Sequence, residues 1–384
     1  MTTFDFQPRT RIVFGAGKID ALGELASELG GRRALVVSDP GVIAAGHTAR
    51  GIAALERAGI KTQLFEGVHE NPTTDDVAAG VKLARRHDPE LLIGLGGGSS
   101  MDCAKGINFL FTGGGELKDY WGVGKALQPM LPMIAVPTTA GTGSETQSFA
   151  LISDVQTHVK MACGDKKAAP RVALLDPELT ISQPLRVTAL TGIDAVSHAL
   201  ETFVTTRRNP VSLAFSREAW RLLAGNFARV IADPADLEAR GSMLLGASFA
   251  GMAIENSMLG AAHALANPLT TMFDVAHGQA VGVMLPHVVR FNARAVESQY
   301  LELLREADNG HSSLPGLAGG IEGLADFVTK LLVLAGLATT LRPLGVDPLK
   351  LPQLASQAAK QWTASFNPQP AHEEDLLALY QQAF

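Results

Sequence analysis

Short apolar runs alternate with segments of helical periodicity through the first half of the chain. RALVVSD (33–39), KTQLFEG (61–67) and LLIGLGGGSS (91–100) read as strands, the last running into a glycine turn. Between them, VIAAGHTARGIAALERAG (42–59) and TTDDVAAGVKLARRHD (73–88) carry their apolar residues at helical spacing. MIAVPTTAGTGSE (133–145) is another strand-to-loop passage, and 153–177 reads as a hairpin followed by a further strand. Repeated βα units predict a mostly parallel, doubly wound sheet.

The texture changes after DPELTISQP (176–184), where amphipathic or wholly apolar helical stretches follow one another, separated by Gly, Pro and Asn. The expected architecture is an α/β domain over residues 1–182 and an all-α domain over 183–384, with a ligand cleft between them. HSSLPGLAGG (311–320) reads as a loop, and no internal repeat is visible. A chain of 384 residues is too long for one compact core and fits two domains.

Composition narrows the setting. The chain is 46% hydrophobic and 18% charged, with a mean hydropathy of +0.15. That balance predicts an extensive core and some apolar surface covered by a second copy, in a homodimer or higher homo-oligomer. A net charge of −6 offers no basic patch for nucleic acid or an anionic membrane. The opening MTTFDFQPRTRIVFGAG lacks the pattern of a secretory signal. LLVLAGLATTL (331–341) is far shorter than the roughly 20 residues of a spanning helix. Two cysteines, Cys103 and Cys163, fit a reducing cytoplasm, with Cys103 read as a small packing residue.

Asp194 and His198 lie four apart in TGIDAVSHALETF, so one helix face presents both. His263 in GAAHALANPL and His277 in DVAHGQAVGVMLP lie fourteen apart, enough for a helix, a reversal and the start of another. Any one of these histidines alone is more often a surface or core residue than a ligand. Together, in apolar segments where an unpaired imidazole is costly to bury, they read as three imidazoles and a carboxylate around one divalent ion. That donor set suits Zn²⁺ or Fe²⁺ better than Ca²⁺ or Mg²⁺.

In the first half, GLGGGSSMDCAK (94–105) follows a strand and opens a helix, where backbone N–H groups and the helix dipole can cradle a pyrophosphate. The same turn also reads as purely structural. Asp39, at the end of a predicted strand, can accept from adenosine ribose hydroxyls. It precedes the glycines instead of following them by about 20 residues, which points away from the usual Rossmann order. PTTAGTGSE (137–145) places Thr138, Thr139, Thr142 and Ser144 after a strand, either lining an adenine or nicotinamide pocket or forming a well-capped turn.

These segments resemble the iron-containing, or group III, alcohol dehydrogenase family. GGGSSMDCAK is similar to its GGGS-x-x-D-x-x-K cofactor motif, and PTTAGTGSE to its threonine-rich loop. TGIDAVSHALE and GAAHALANPLTTMFDVAHGQAVGVMLP resemble its two metal signatures. The likeness runs in order over essentially the whole chain, including LLDPELT and the late FNPQP. It implies a dehydroquinate-synthase-like fold, with a dinucleotide-binding α/β domain and a helical C-terminal domain. By motif position it implies Asp194, His198, His263 and His277 as metal ligands, with Fe²⁺ usual and Zn²⁺ found in some relatives. Gly97, Gly98 and Ser99 are implied at the pyrophosphate of NAD, Asp102, Thr138, Thr139 and Thr142 nearby, and Lys160 at the nicotinamide ribose. Asp39 occupies the position that selects NAD over NADP.

The function so implied is hydride exchange between NAD(H) and a small primary alcohol or aldehyde, because a metal needs only one oxygen handle and few charged residues lie near the ligand motifs. Phe149, Ile254 and Phe366 are apolar candidates for the pocket wall, although ordinary core packing is the commoner role for any one of them. One departure stands out: the family commonly has a second histidine in HxxxH, a proton-relay position, whereas HALAN places Asn267 there. An amide hydrogen-bonds but carries no proton. Two alternatives are a dehydroquinate-synthase-like lyase, which would need several cationic residues for an acidic, phosphorylated substrate, and a catalytically silent binding protein, suggested by Asn267 alone.

Overall fold

The computed structural model describes residues 3–157, 159–308 and 319–384. The chain divides into two compact units. One comprises residues 7–139 and 143–183; the other comprises the stretch ending at Phe6, residues 140–142, and residues 184–384.

The α/β unit contains strands β1 (Arg11–Phe14), β2 (Arg33–Val37), β3 (Lys61–Phe65), β4 (Leu91–Gly96), β5 (Gly122–Val123), β6 (Met133–Pro137), β7 (Phe149–Ser153), β8 (Lys160–Gly164) and β9 (Val172–Leu175). Six form one all-parallel sheet in the order β1-β9-β6-β4-β2-β3. The other three form a small sheet in the order β5-β8-β7. Among the described residues, five α-helices serve this unit: α1 (Leu22–Glu28), α2 (Pro40–Ala44), α3 (His47–Arg57), α4 (Thr74–His87) and α5 (Gly98–Gly113). Alternation along β2 explains the double winding. Leu35 and Val37 pack into a core with Val77 of α4 and Ile107 of α5. Ala34 and Val36 point the other way, into a core with Leu22 of α1 and Leu55 of α3.

Two local expectations are corrected. The helix expected over 42–59 is two helices, α2 and α3, because Gly46 takes a left-handed φ of 81° between them. The hairpin expected over 153–177 has its first arm upstream, at Phe149–Ser153, pairing antiparallel with Lys160–Gly164. β1 and the two-residue β5 carry too little pattern to read from sequence. The loop expected over 311–320 lies outside the described residues up to 318, and Gly320 already begins a helix.

The helical unit is built from α6 (Leu185–Val204), α7 (Pro210–Ala232), α8 (Leu237–Ser257), α9 (Ala261–Phe273), α10 (His277–Asp308), α11 (Gly320–Leu334), α12 (Leu351–Ala358) and α13 (Glu373–Ala383). α6 is its axis: every residue from Gly192 to Val204 is buried, so this helix is covered all round rather than on one stripe. α10 bends at Val296, whose φ of −137° and ψ of 29° are not helical.

Candidate metal centre and dinucleotide edge

Asp194 and His198 stand one turn apart on α6, His263 lies on the first turn of α9, and His277 is the first residue of α10. The reversal between α9 and α10 turns on Asp274, which adopts a left-handed φ of 53° at the end of α9. Gly278 sets the depth of the approach. A β-carbon there would come 2.0 Å from the carbonyl oxygen of Leu190, so only glycine lets the start of α10 lie against α6 and carry His277 inward.

The three imidazoles converge on one oxygen. Nε2 of His198 and Nε2 of His263 each lie 3.5 Å from Oδ1 of Asp194, and Nε2 of His277 lies 3.8 Å from it. Asp194, His263 and His277 present donor atoms within 4.8 Å of one another. His198 falls outside that mutual spacing; it joins through Asp194, its ring stacked on His263 with centroids 4.8 Å apart. Asp194, His198 and His263 are buried, whereas His277 keeps 31% of its side chain exposed, which leaves the cluster approachable from that side.

Charge follows from this packing. Burial alone would raise the Asp194 carboxyl, but the imidazoles of His198, His263 and His277 hold it well below the usual carboxylate range. Burial pushes His198 down, against the pull of Asp194. Burial would also lower His263, yet the carboxylates of Glu201 and Asp194 outweigh it and raise the ring to about 9.

The residues fit a divalent cation. Oδ1 of Asp194 and Nε2 of His263 are buried without a hydrogen-bond partner among the described residues, an arrangement costly for groups that face nothing. Ligand atoms about 2.1 Å from a shared tetrahedral centre stand about 3.4 Å apart, close to the spacings around Asp194 Oδ1.

At the sheet, β6, β4 and β2 are neighbours, and the residues singled out in sequence follow their carboxyl ends. Gly97, Gly98 and Ser99 lead from β4 into α5, Thr138 and Thr139 follow β6, and Asp39 follows β2. Their backbones interlock: the Thr138 N–H donates to Gly96 O at 2.9 Å, and a β-carbon on Gly97 would sit 3.4 Å from the Thr139 methyl. The crevice beyond the carboxyl ends of such strands is where parallel α/β sheets bind ligands, here facing the free N–H groups at the start of α5. Lys160 begins β8 and donates from Nζ to Asn71 Oδ1 at 3.1 Å, in the segment after β3. Thr142 is not grouped with Thr138 and Thr139; it belongs to the short stretch 140–142 of the helical unit. Asp102 is turned inward. It accepts from Ser144 Oγ at 2.5 Å and from the Leu151 N–H at 3.1 Å.

Asn267 is one turn beyond His263 on α9, and its Nδ2 donates to Gln361 Oε1 at 3.0 Å. Phe366 lies edge-on to Trp362 and beneath the Arg207 guanidinium. Phe149 packs its ring over Gly164, and Ile254 is a buried residue of α8.

Sequence reasoning missed three supporting residues. Lys105, fully buried, donates to Ser144 O, Ser144 Oγ and Phe149 O, tying α5 to the threonine-rich loop. Glu201 accepts from His263 Nδ1 and from the Ala262 N–H. Asn367 accepts from the neighbouring Ala261 N–H. A signal existed for Glu201, since a carboxylate in a helix stretch buried all round demands a partner.

The structure thus combines a doubly wound parallel sheet, with a glycine turn and an acid at its carboxyl edge, and an all-helical unit with a buried His and Asp cluster, the make-up of a two-unit protein with a candidate dinucleotide edge and a candidate metal centre. The chain belongs to the iron-containing alcohol dehydrogenase family: it matches "Iron-containing alcohol dehydrogenase" over residues 8–177 and "Fe-containing alcohol dehydrogenase family, C-terminal" over 188–384. It is 36% identical to 1,3-propanediol dehydrogenase of Klebsiella pneumoniae over 386 residues, covering 99% of each chain. It is 32% identical to NAD-dependent methanol dehydrogenase of Bacillus methanolicus, covering 100% of both. The crystal structure of a 1,3-propanediol oxidoreductase superimposes with a TM-score of 0.95 at 34% identity, covering 100% of both chains. The protein is therefore an oxidoreductase acting on alcohols.

Proposed function

We propose that Asp194, His198, His263 and His277 together hold one divalent ion, Fe²⁺ with Zn²⁺ as the alternative, and that residues 183–384 form the metal-binding and catalytic domain. The observation that carries this reading is the convergence of three Nε2 atoms within 3.5–3.8 Å of one buried Asp194 oxygen. Residues 1–182 bind NAD(H): Gly97, Gly98 and Ser99 receive the pyrophosphate on their N–H groups, with Thr138, Thr139 and Thr142 beside it and Lys160 at the nicotinamide ribose. Asp102 acts with Lys105 and Ser144 to hold the loop that carries the threonines.

The ion supplies Lewis-acid polarisation of the substrate oxygen, and the dinucleotide supplies or receives the hydride. Asp39 accepts from the adenosine ribose hydroxyls and repels a 2′-phosphate. Asn267 donates to Gln361 and orients without carrying a proton, so the alcohol proton leaves by water or a cofactor hydroxyl. Phe149 and Phe366 are proposed pocket-wall residues. The substrate class is a small primary alcohol or its aldehyde; this chain's similarity to the propanediol and methanol dehydrogenases supports that size. The working form is a cytoplasmic homodimer or higher homo-oligomer. Among the described residues no helix is long and apolar enough to cross a membrane.

The test is oxidation of NADH and NADPH with a panel of aldehydes after reconstitution with Fe²⁺ or Zn²⁺. Turnover that is metal-dependent, NADH-selective and strongest with short aldehydes is expected. Equal turnover by thoroughly metal-stripped protein would refute the metal assignment.

A further inference from the structure

Glu201 lies seven residues after Asp194 on α6, so the two carboxylates and His198 between them occupy one face of the helix at i, i+4 and i+7. Asp194 faces the imidazole cluster, while Glu201, only 2% exposed, stands behind His263. Its Oε2 is 2.5 Å from Nδ1 of His263 and its Oε1 is 2.7 Å from the Ala262 backbone nitrogen. Gly260 makes room for it: a β-carbon there would be 3.0 Å from Oε1.

Both groups that face Glu201 must donate. A backbone N–H has no other option, and an ionised carboxylate offers only acceptors, so Nδ1 of His263 carries its hydrogen on the Glu201 side. In the neutral ring the lone pair then belongs to Nε2, the atom that points at Asp194 and lacks a hydrogen-bond partner. Histidines that hold metals are commonly fixed by such an outer carboxylate. We propose that Glu201 is the positioning residue of the metal centre, locking His263 into the Nδ1–H tautomer and the ring orientation that present Nε2 to the ion. This rests on the metal-binding reading proposed above.

A glutamine of the same shape cannot do this work. It has one acceptor end, so its NH₂ meets either the Ala262 N–H, which repels it, or His263 Nδ1, which would then have to accept and move the ring hydrogen onto Nε2. A purely structural role is also available, because Glu201 caps the start of α9. Asn367 separates the two possibilities: its Oδ1 caps the adjacent Ala261 N–H at 3.2 Å without being hydrogen-bonded to His263.

The experiment measures Zn²⁺ affinity by competition with a chromogenic chelator in full-length wild type, Glu201→Gln, Asn367→Ala and His263→Ala, and records the imidazole N–H resonances of the Zn²⁺-loaded protein. Glu201→Gln should weaken Zn²⁺ binding about 10–100-fold and abolish the downfield His263 Nδ1–H resonance. Asn367→Ala should leave the affinity close to wild type. The inference is overturned if Glu201→Gln binds Zn²⁺ as wild type does, or if Asn367→Ala loses as much, which would make the effect one of helix capping. Should Glu201→Gln fail to fold, the wild type decides. A hydrogen-bonded Nδ1–H on His263 supports the proposal, and its absence overturns it. Undiminished binding by His263→Ala would instead sink the metal-binding reading itself, and the inference with it.

Discussion

Ser100 donates its hydroxyl to Asp39 at 3.0 Å, from the first turn of α5 to the residue that caps α2 just beyond β2. Asp39 Oδ1 meanwhile accepts the Val42 N–H at 3.1 Å, capping α2, so the carboxylate is held by the starts of two helices at once. Gly96 permits the approach; a β-carbon there would be 2.4 Å from Ser100 Oγ and 2.9 Å from Asp39 Oδ2.

A carboxylate so held discriminates between cofactors by charge. Asp39→Gly should raise kcat/KM with NADPH relative to NADH by about tenfold or more, equivalent to at least about 1.4 kcal/mol. Steady-state kinetics with both cofactors check this, and a wild type indifferent to the 2′-phosphate would show that Asp39 does not select.

The two histidines from α9 and α10 should differ in what their loss does to the fold. His277→Ala removes a partly exposed ring, so activity and metal content should fall at least about 100-fold with little change in melting temperature. His263→Ala should also inactivate, but it strips Glu201 of its buried partner, and removing one member of a buried charged pair costs about 3–5 kcal/mol. Chemical denaturation of the metal-free variants gives the comparison; equal stabilities would contradict the role assigned to the Glu201 contact.

Asn267→His places a titratable ring one turn from His263, beside the Gln361 amide, which can donate or accept. The kcat profile for alcohol oxidation should gain an ionisation near pH 6.5, with a rise at the lower end of the 10²–10⁴-fold range of general base assistance and unchanged metal content. Profiles of wild type and variant that superimpose between about pH 5 and 9 would remove position 267 from the proton path.

His287, half-buried on α10, is lowered to about 4 by burial and by the nearby Arg290. In the unfolded chain the same ring titrates near 6.5, so between these values the unfolded state binds the extra proton. Its contribution to stability is thus complete above about pH 6.5 and is lost as pH falls toward 4. Denaturant unfolding of wild type and His287→Gln at several pH values over that window isolates the contribution. The variant should lose less stability on acidification, and parallel curves would refute the assignment.

What the chain spells out locally was legible. The apolar runs of β2 and β4, the helical spacing of α4, and the glycine turn into α5 depend on residues a few positions apart. So does the sharing of one helical face by Asp194 and His198, which follows from 3.6 residues per turn. Gly46 shows where local reading stops: a glycine tolerated in a helical pattern and one that breaks it look alike until φ is known. The rest required the tertiary structure. That His263 and His277 reach the same Asp194 oxygen depends on α9 and α10 packing against α6, with Gly278 at a place where a β-carbon would lie 2.0 Å from the Leu190 carbonyl oxygen. The pairing of Asn267 with Gln361 spans 94 residues of chain, and that of Glu201 with His263 spans 62. No periodicity carries such contacts, because they arise from where whole helices pack rather than from the spacing of residues along one of them.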